Sequence, residues 1–312
     1  MSSACVTRLL RISRTVYDLD RSVAFYRDAL NFRVIEEVTR VDSAWGRLMG
    51  IAGASGRTVI MRLGEQDLEL IAFNAHGKPY PADSTAADPW FQHIAVVVND
   101  MDAAYAHLSR YPHKPISVEG PQRLPPSSGS VTAYKFRDPD GHPVELLQFL
   151  PGTVPNDASV KQTWFRGIDH SAITIADVGQ SVDFYSRLLG MQVGSRSINS
   201  GPAQTRLDHE RNVQVNVVAL NPTIEVKPHV ELLGYERTRG HRIPGHVQSN
   251  DTVADRMVLQ VHNLQRLVLM LESERVAFIS PGCVELCEDQ YGAQILDPTG
   301  HRLLLLENYG CS

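Results

Sequence analysis

The chain is poor in cysteine, with only Cys5, Cys283, Cys287 and Cys311 among 312 residues. The one close pair, Cys283 and Cys287, has three residues between its members, which is not zinc-knuckle spacing, and no second pair accompanies it. These cysteines read as reduced thiols, which suits a cytoplasmic protein. Long apolar runs are missing too. No segment approaches the roughly 20 apolar residues that span a bilayer, and "MSSACVTRLLRISRT" lacks the apolar core of a signal peptide. The expectation is a cytoplasmic protein with no membrane partner. Runs of Lys and Arg are also absent, and the net charge is −5, so neither nucleic acid nor anionic lipid is an expected partner. What remains, 43% apolar and 21% charged, is an ordinary globular balance. A chain of this length is expected to form two domains whose cores need no disulfide staples.

The chain repeats itself. "DLDRSVAFYRDALNFRV" from Asp18 and "DVGQSVDFYSRLLGMQV" from Asp177 are near copies 159 residues apart, and "DPDGH" at Asp138 and "DPTGH" at Asp297 share that spacing. Two unrelated motifs at one offset indicate a tandem duplication, with a boundary in "LPGTVPNDASVKQ". The expected halves are residues 1–150 and 151–312. Each half divides again, into modules of about 8–75 and 88–150, then 166–236 and 253–309. Every module opens with an alternating apolar strand followed by Asp18, Asp100, Asp177 or Asn263, each at a helix N-cap position. Apolar stripes such as Val23, Tyr26 and Leu30 mark the helices. Each module closes on a strand: "DLELIAFN", "HPVELLQF", "HVELLGY" or "HRLLLLEN". The unit reads β-α-β-β-β, four times.

Four such units, the D-x-x-x-S-x-x-F-Y helix entry and the D-P-x-G-H turn resemble the vicinal oxygen chelate superfamily. That group includes glyoxalase I, extradiol dioxygenases, methylmalonyl-CoA epimerase and the bleomycin and fosfomycin resistance proteins. The resemblance implies an α+β fold in which four βαβββ modules form two paired, cupped mixed β-sheets. It also implies that each module can offer a metal ligand from the start of its first strand and another from its last. Counting back seven residues from each N-cap, and four on from the glycine of the last turn, reads these positions. Module one gives Arg11 and Glu69, module two His93 and Glu145, module three His170 and Glu231, and module four Arg256 and Leu304. His93, Glu145, His170 and Glu231 thus look like one intact site for one divalent Fe, Mn, Ni, Co or Zn ion. Arg11, Glu69, Arg256 and Leu304 look like a site that has lost its ligands, with permanent positive charge where a cation would go. Glu307 lies three residues from Leu304 and turns to the opposite strand face.

Sequence leaves the pairing of modules open. Modules one with two and three with four would give two incomplete sites. Modules two with three and one with four would give one complete site and one empty one, which economy favours. Pairing across a homodimer is a third route, so the chain is read as a monomer or a homodimer. Glu69 is expected to form an ion pair with Arg11 or Arg256. His142 and His301 follow the turn glycine in both halves and read as turn residues, while His229 shares a strand face with Glu231. Phe25, Tyr26, Phe184 and Tyr185 read as helix-to-sheet packing. Pro/Gly/Ser-rich loops offer Tyr80, Trp90 and Arg123 as substrate contacts.

Three functions follow from the resemblance. The leading one is a metal-dependent lyase or isomerase resembling glyoxalase I, acting on a small molecule that offers vicinal oxygens, with Glu145 or Glu231 as the catalytic base. The second is an Fe(II) extradiol-type dioxygenase, which needs two histidines and one carboxylate. "AYKFRDPDGHPVE" fits the extradiol signature poorly, and enzymes of that type keep their site in the second half. The third is a non-catalytic small-molecule binding or resistance protein.

Overall fold

A computed structural model describes residues 4–152, 164–225, 227–236 and 246–308. Module one runs β1 (Cys5–Thr15), α1 (Leu19–Leu30), β2 (Arg33–Arg40), α2 (Ser43–Leu48), β3 (Gly56–Leu63) and β4 (Gln66–Phe73). Module two runs β5 (Gln92–Val98), α3 (Met101–Leu108), β6 (Lys114–Pro115), β7 (Gln122–Arg123), β8 (Thr132–Arg137) and β9 (Pro143–Gln148). Module three runs β10 (Phe165–Thr174), α4 (Val178–Asp183) with a π-helical continuation over Phe184–Leu188, β11 (Gln192–Ser200), α5 (Gly201–Asp208), β12 (Gln214–Asn221) and β13 (His229–Tyr235). Module four runs β14 (Arg256–His262), α6 (Leu264–Ser273), β15 (Val284–Cys287), β16 (Gln290–Leu296) and β17 (Arg302–Asn308). Modules one and three each add a helix to the βαβββ pattern, α2 or α5. Module two reduces its second strand to two short pieces.

The helix starts follow the sequence with one exception. Asp18, Asp100 and Asp177 accept from the backbone N–H groups of Arg21, Ala103 and Gln180, as N-caps do. Asn263 does not cap α6: it sits in the left-handed region and its side chain makes no cap bond. The Glu307 carboxylate accepts from the N–H groups of Asn263 and Leu264 instead. Negative charge at a helix start also suits the helix dipole.

The strands form two sheets, and each takes a module from either half of the chain. One has the order β15-β16-β17-β14-β1-β4-β3-β2 and joins modules one and four. The other has the order β11-β12-β13-β10-β5-β9-β8-β6, with β7 on β8, and joins modules two and three. In both, the first strands of the two modules run antiparallel at the centre, and each lies parallel to its own module's last strand. Strand alternation then divides the residues. Leu68, Leu70, Leu303 and Leu305 in one sheet, and Ile94, Val96, Leu146 and Leu232 in the other, join the helices in the main apolar core. The opposite faces line the two cups. Among the described residues, no helix is long and apolar enough to cross a membrane.

The two duplicated motifs touch. Asp138 Oδ1 of the first D-P-x-G-H turn accepts from the N–H groups of Asp140 and His142, and Oδ2 accepts from the Tyr26 hydroxyl at 2.8 Å. Asp297 holds its own turn in the same way and accepts from Tyr185 at 3.1 Å. The turn histidines tie these corners to neighbouring strands: His142 Nε2 reaches the carbonyls of Thr15 and Thr252, and His301 Nε2 that of Thr174.

Candidate metal centre

The second sheet brings His93, Glu145, His170 and Glu231 to one side of its cup. His93 and His170 lie on the central strands β5 and β10, where Ala172 pairs with His93 and Ala95 with His170. Glu145 pairs with Ala95 in parallel β9, and Glu231 with Ala172 in parallel β13. This register places all four side chains on the face away from the helices. Donor atoms of His93, Glu145 and His170 lie within 4.8 Å of one another. His93 Nε2 is 2.8 Å from Glu145 Oε2. Glu231 stands outside that trio, with Oε2 at 3.6 Å from His170 Nε2 and its side chain 22% exposed, against 8% for Glu145.

His93 is the informative residue. Its ring is buried, Nε2 lies 2.8 Å from Glu145 Oε2, and neither nitrogen meets a well-aligned hydrogen-bond partner among the described residues. A buried imidazole without hydrogen bonds is costly. A cation shared with Glu145 and His170 accounts for it, so these residues fit a metal. Burial first, then the charge of Lys135, pushes His93 down to about 4, which leaves it a neutral imidazole able to donate a lone pair. Burial also opposes protonation of His170, but Glu231, Asp169 and Glu145 together lift it to about 9. The proton on His170 answers the same excess of negative charge that a divalent ion would. Burial opposes ionisation of Glu231, yet His170 and His229 hold its carboxyl down at about 2.

A second layer of polar groups surrounds these four residues. His170 Nδ1 lies 3.0 Å from Asp169 Oδ2, the outer carboxylate that typically fixes a ligating histidine. His229 Nε2 lies 3.3 Å from Glu231 Oε1, and its Nδ1 is 3.1 Å from the Asp169 carbonyl. Lys227 Nζ donates to Asp169 Oδ1 at 2.5 Å. Beside Glu145, on β8, Lys135 Nζ donates to Asp208 Oδ1 at 2.7 Å. The other oxygen of Asp208 accepts from Gln204 at 2.7 Å and from Tyr235 at 3.0 Å. The centre opens into a cleft of about 570 Å³ whose apolar wall includes Leu124, Val131, Leu147, Phe149, Leu207 and Leu233.

Sequence reasoning missed Lys135, Asp208 and Asp169. Lys135 left a trace: it interrupts the apolar strand "TAYKF", and the residue 159 positions on, Gln294, is also polar and fully buried. His229 does share the face of Glu231 and touches it. Tyr80, Trp90 and Arg123 do not line this cleft. Tyr80 is buried against Gly141 and His142, Trp90 borders a small separate cavity beside His301, and Arg123 is exposed on β7. Ser127, Ser128 and Gly129, from the same Pro/Gly/Ser-rich loop as Arg123, line the mouth instead.

The other cup holds Arg11, Glu69, Arg256 and Leu304. Arg11 lies 3.3 Å from Glu69, and Arg256, fully buried, donates to Thr15 Oγ1 and the Ser249 carbonyl. Glu69 therefore pairs with Arg11. Leu304 packs with Trp45, Leu48, Met49, Ile71 and Phe73, which fill this cup.

Comparison with known proteins agrees with this architecture. The family model for the Glyoxalase/Bleomycin resistance protein/Dioxygenase superfamily matches twice, over residues 8–146 and 167–305. The uncharacterized protein YaeR of Escherichia coli (strain K12) is 32% identical over 130 residues, which is 41% of this chain and 84% of YaeR. Glyoxalase I from Zea mays superposes with a TM-score of 0.63 at 16% identity, over 98% of this chain and 93% of that one. A putative dioxygenase from Bacillus subtilis gives 0.62 at 11% identity, over 98% and 86%. At such identities the structural likeness shows the fold, while the paired family matches cover most of the chain. The chain belongs to the glyoxalase/bleomycin resistance protein/dioxygenase superfamily.

Proposed function

We propose that His93, Glu145, His170 and Glu231 hold one divalent metal ion, and that the chain is a glyoxalase-like lyase or isomerase acting on a small molecule with vicinal oxygens. When bound, such an ion acts as a Lewis acid that polarises a substrate carbonyl. The chain's own residues divide the remaining work. His93 and Glu145 are buried and closely apposed, which suits permanent ligands. Glu231 carries the proposal: it faces the cleft, touches only the edge of the trio, and is hydrogen-bonded by His229. A carboxylate so placed can leave its ligand position and take a proton from a substrate carbon, with His229 holding the oxygen that does not react. Glu145, deeper and tied to the trio, stays a ligand.

The composition of that trio favours a second reading. Two histidines and one carboxylate match the ligand set of non-haem Fe(II) oxygenases. Turnover under nitrogen with Zn(II), Ni(II) or Co(II) restored to metal-stripped protein is the result expected of an isomerase or lyase. Activity that requires Fe(II) and consumes dioxygen would replace that reading with the dioxygenase. Metal bound without turnover, alongside tight retention of a small molecule, would favour a binding protein.

A further inference from the structure

Lys135 is a buried lysine in an enzyme-like cleft, and the mechanism above does not use it. Its neighbours are committed elsewhere. Asp208 accepts from Lys135, Gln204 and Tyr235, so the ammonium is clamped in place at the end of α5. An ammonium has three donors. Among the described residues, Asp208 is the only partner of Lys135 Nζ, and Glu145, although paired with Lys135 across β8 and β9, makes no ion pair with it. Two N–H donors are thus left toward the cleft, on the strand beside the proposed metal ligand Glu145. The clamp also belongs to this cup alone. The positions 159 residues before Gln204 and Asp208 are Trp45 and Met49, and the position 159 residues after Lys135 is Gln294.

From this geometry we infer that Lys135 is a substrate-binding residue, and that the substrate is a small carboxylate with an oxygen on the adjacent carbon. This rests on the metal reading of the same site. The carboxylate would take the free donors of Lys135, and the vicinal oxygens would face the ligand cluster. The Leu124, Val131, Leu147 and Phe149 wall would receive an apolar body. Charge-assisted hydrogen bonds are among the stronger polar contacts.

The test compares glycolate with its uncharged counterpart glycolamide, titrated into Co(II)-loaded protein and followed by cobalt absorption. A metal ion alone favours glycolate, so the contribution of Lys135 is the change between wild type and Lys135→Met. Glycolate affinity should fall about 10- to 100-fold in Lys135→Met, as expected for a hydrogen bond to a charged group. Glycolamide affinity and metal content should stay unchanged, and Lys135→Arg should recover part of the loss. Because Lys135→Met leaves Asp208 buried without its cation, Lys135→Met/Asp208→Asn provides a charge-balanced control expected to behave alike. If the preference for glycolate over glycolamide is the same in wild type, Lys135→Met and Lys135→Met/Asp208→Asn, or if metal-loaded wild type binds neither compound, the inference is overturned. A wild type that takes up no metal fails the metal reading instead, and the metal content measured at the outset separates the two failures.

Discussion

The two cups are built from the same strands in the same register, yet they carry opposite chemistry. Ser13 pairs with Arg256 and Glu69 in one, as Ala172 pairs with His93 and Glu231 in the other. Val258 pairs with Leu304 as Ala95 pairs with Glu145. The added helix repeats too. In α2, Trp45 stacks on Phe73 with ring centroids 5.0 Å apart, and Leu48 and Met49 complete an apolar plug. In α5 the residues 159 positions later are Gln204, Leu207 and Asp208, of which Asp208 accepts from Gln204, Tyr235 and Lys135. The whole wall therefore changes together. Where the histidines and glutamates persist, the facing helix is polar and the cup is open; where arginines replace histidines, the helix is apolar and the cup is filled. A duplicated fold can keep one copy for chemistry and turn the other into core, because the backbone register does not depend on which of the two it holds.

The largest effects should come from the ligands that distinguish the cups. His93→Ala and His170→Ala each remove a nitrogen donor and should weaken metal binding by more than ~100-fold, beyond the usual cost of losing an outer-shell partner. Arg11→Ala and Arg256→Ala should leave metal content at one ion per chain. Elemental analysis of protein purified without chelator decides this. Two ions per wild-type chain, or full occupancy in both histidine variants, would end the contrast.

Next come the two glutamates of the open cup. Glu231→Gln should keep its metal and lose roughly 10²–10⁴-fold in turnover, the usual range for a general base. Glu145→Gln should instead lose metal affinity. The reverse pattern would exchange their roles, and equal loss of metal in both would leave neither as a separate base.

The filled cup should show its role in stability alone. Trp45→Ala removes the centre of the plug and should cost about 3–5 kcal/mol in denaturant unfolding, while the metal content of the other cup stays the same. A loss under 1 kcal/mol would mean that the plug is not a packed core.

The strand positions of His93, Glu145, His170 and Glu231 were legible in the sequence because their spacing is rigid. An Asp cap followed by a helix fixes where the first strand ends, so seven residues back is one defined point on one face. The glycine of D-P-x-G-H, at a positive φ in both halves, does the same for the last strand. The arrangement of modules was only narrowed, since pairing depends on contacts between halves that no local pattern encodes. The clamp on Lys135 was hidden for a similar reason. Asp208 and Tyr235 come from module three, and Lys135 from module two, with Asp208 73 positions after Lys135. Asn263 misled because a good capping residue is only a preference. Here the chain takes a left-handed turn, and a carboxylate 44 residues away from Asn263 supplies the bond.

The smallest predicted effect tests the same comparison at the shared corners. Tyr26 and Tyr185 occupy equivalent motif positions, and each donates to a turn aspartate. Their surroundings differ in a buried charge: Arg14 is fully buried beside Tyr26, and the residue 159 positions on is Ile173. Arg14 donates to the Tyr26 hydroxyl at 2.5 Å, to the Pro143 carbonyl at 2.7 Å, and lies 3.1 Å from Asp255. Tyr26→Phe therefore deprives two buried charged groups, Arg14 and Asp138, whereas Tyr185→Phe deprives Asp297 alone. A hydrogen bond to a charged group contributes about 1.5–3 kcal/mol. Tyr185→Phe should cost near the lower figure and Tyr26→Phe at least the upper one, read as shifts in urea midpoint at constant slope. Equal losses would mean that Arg14 is held well enough by Asp255 and Pro143, and that the duplicated corners remain energetically alike.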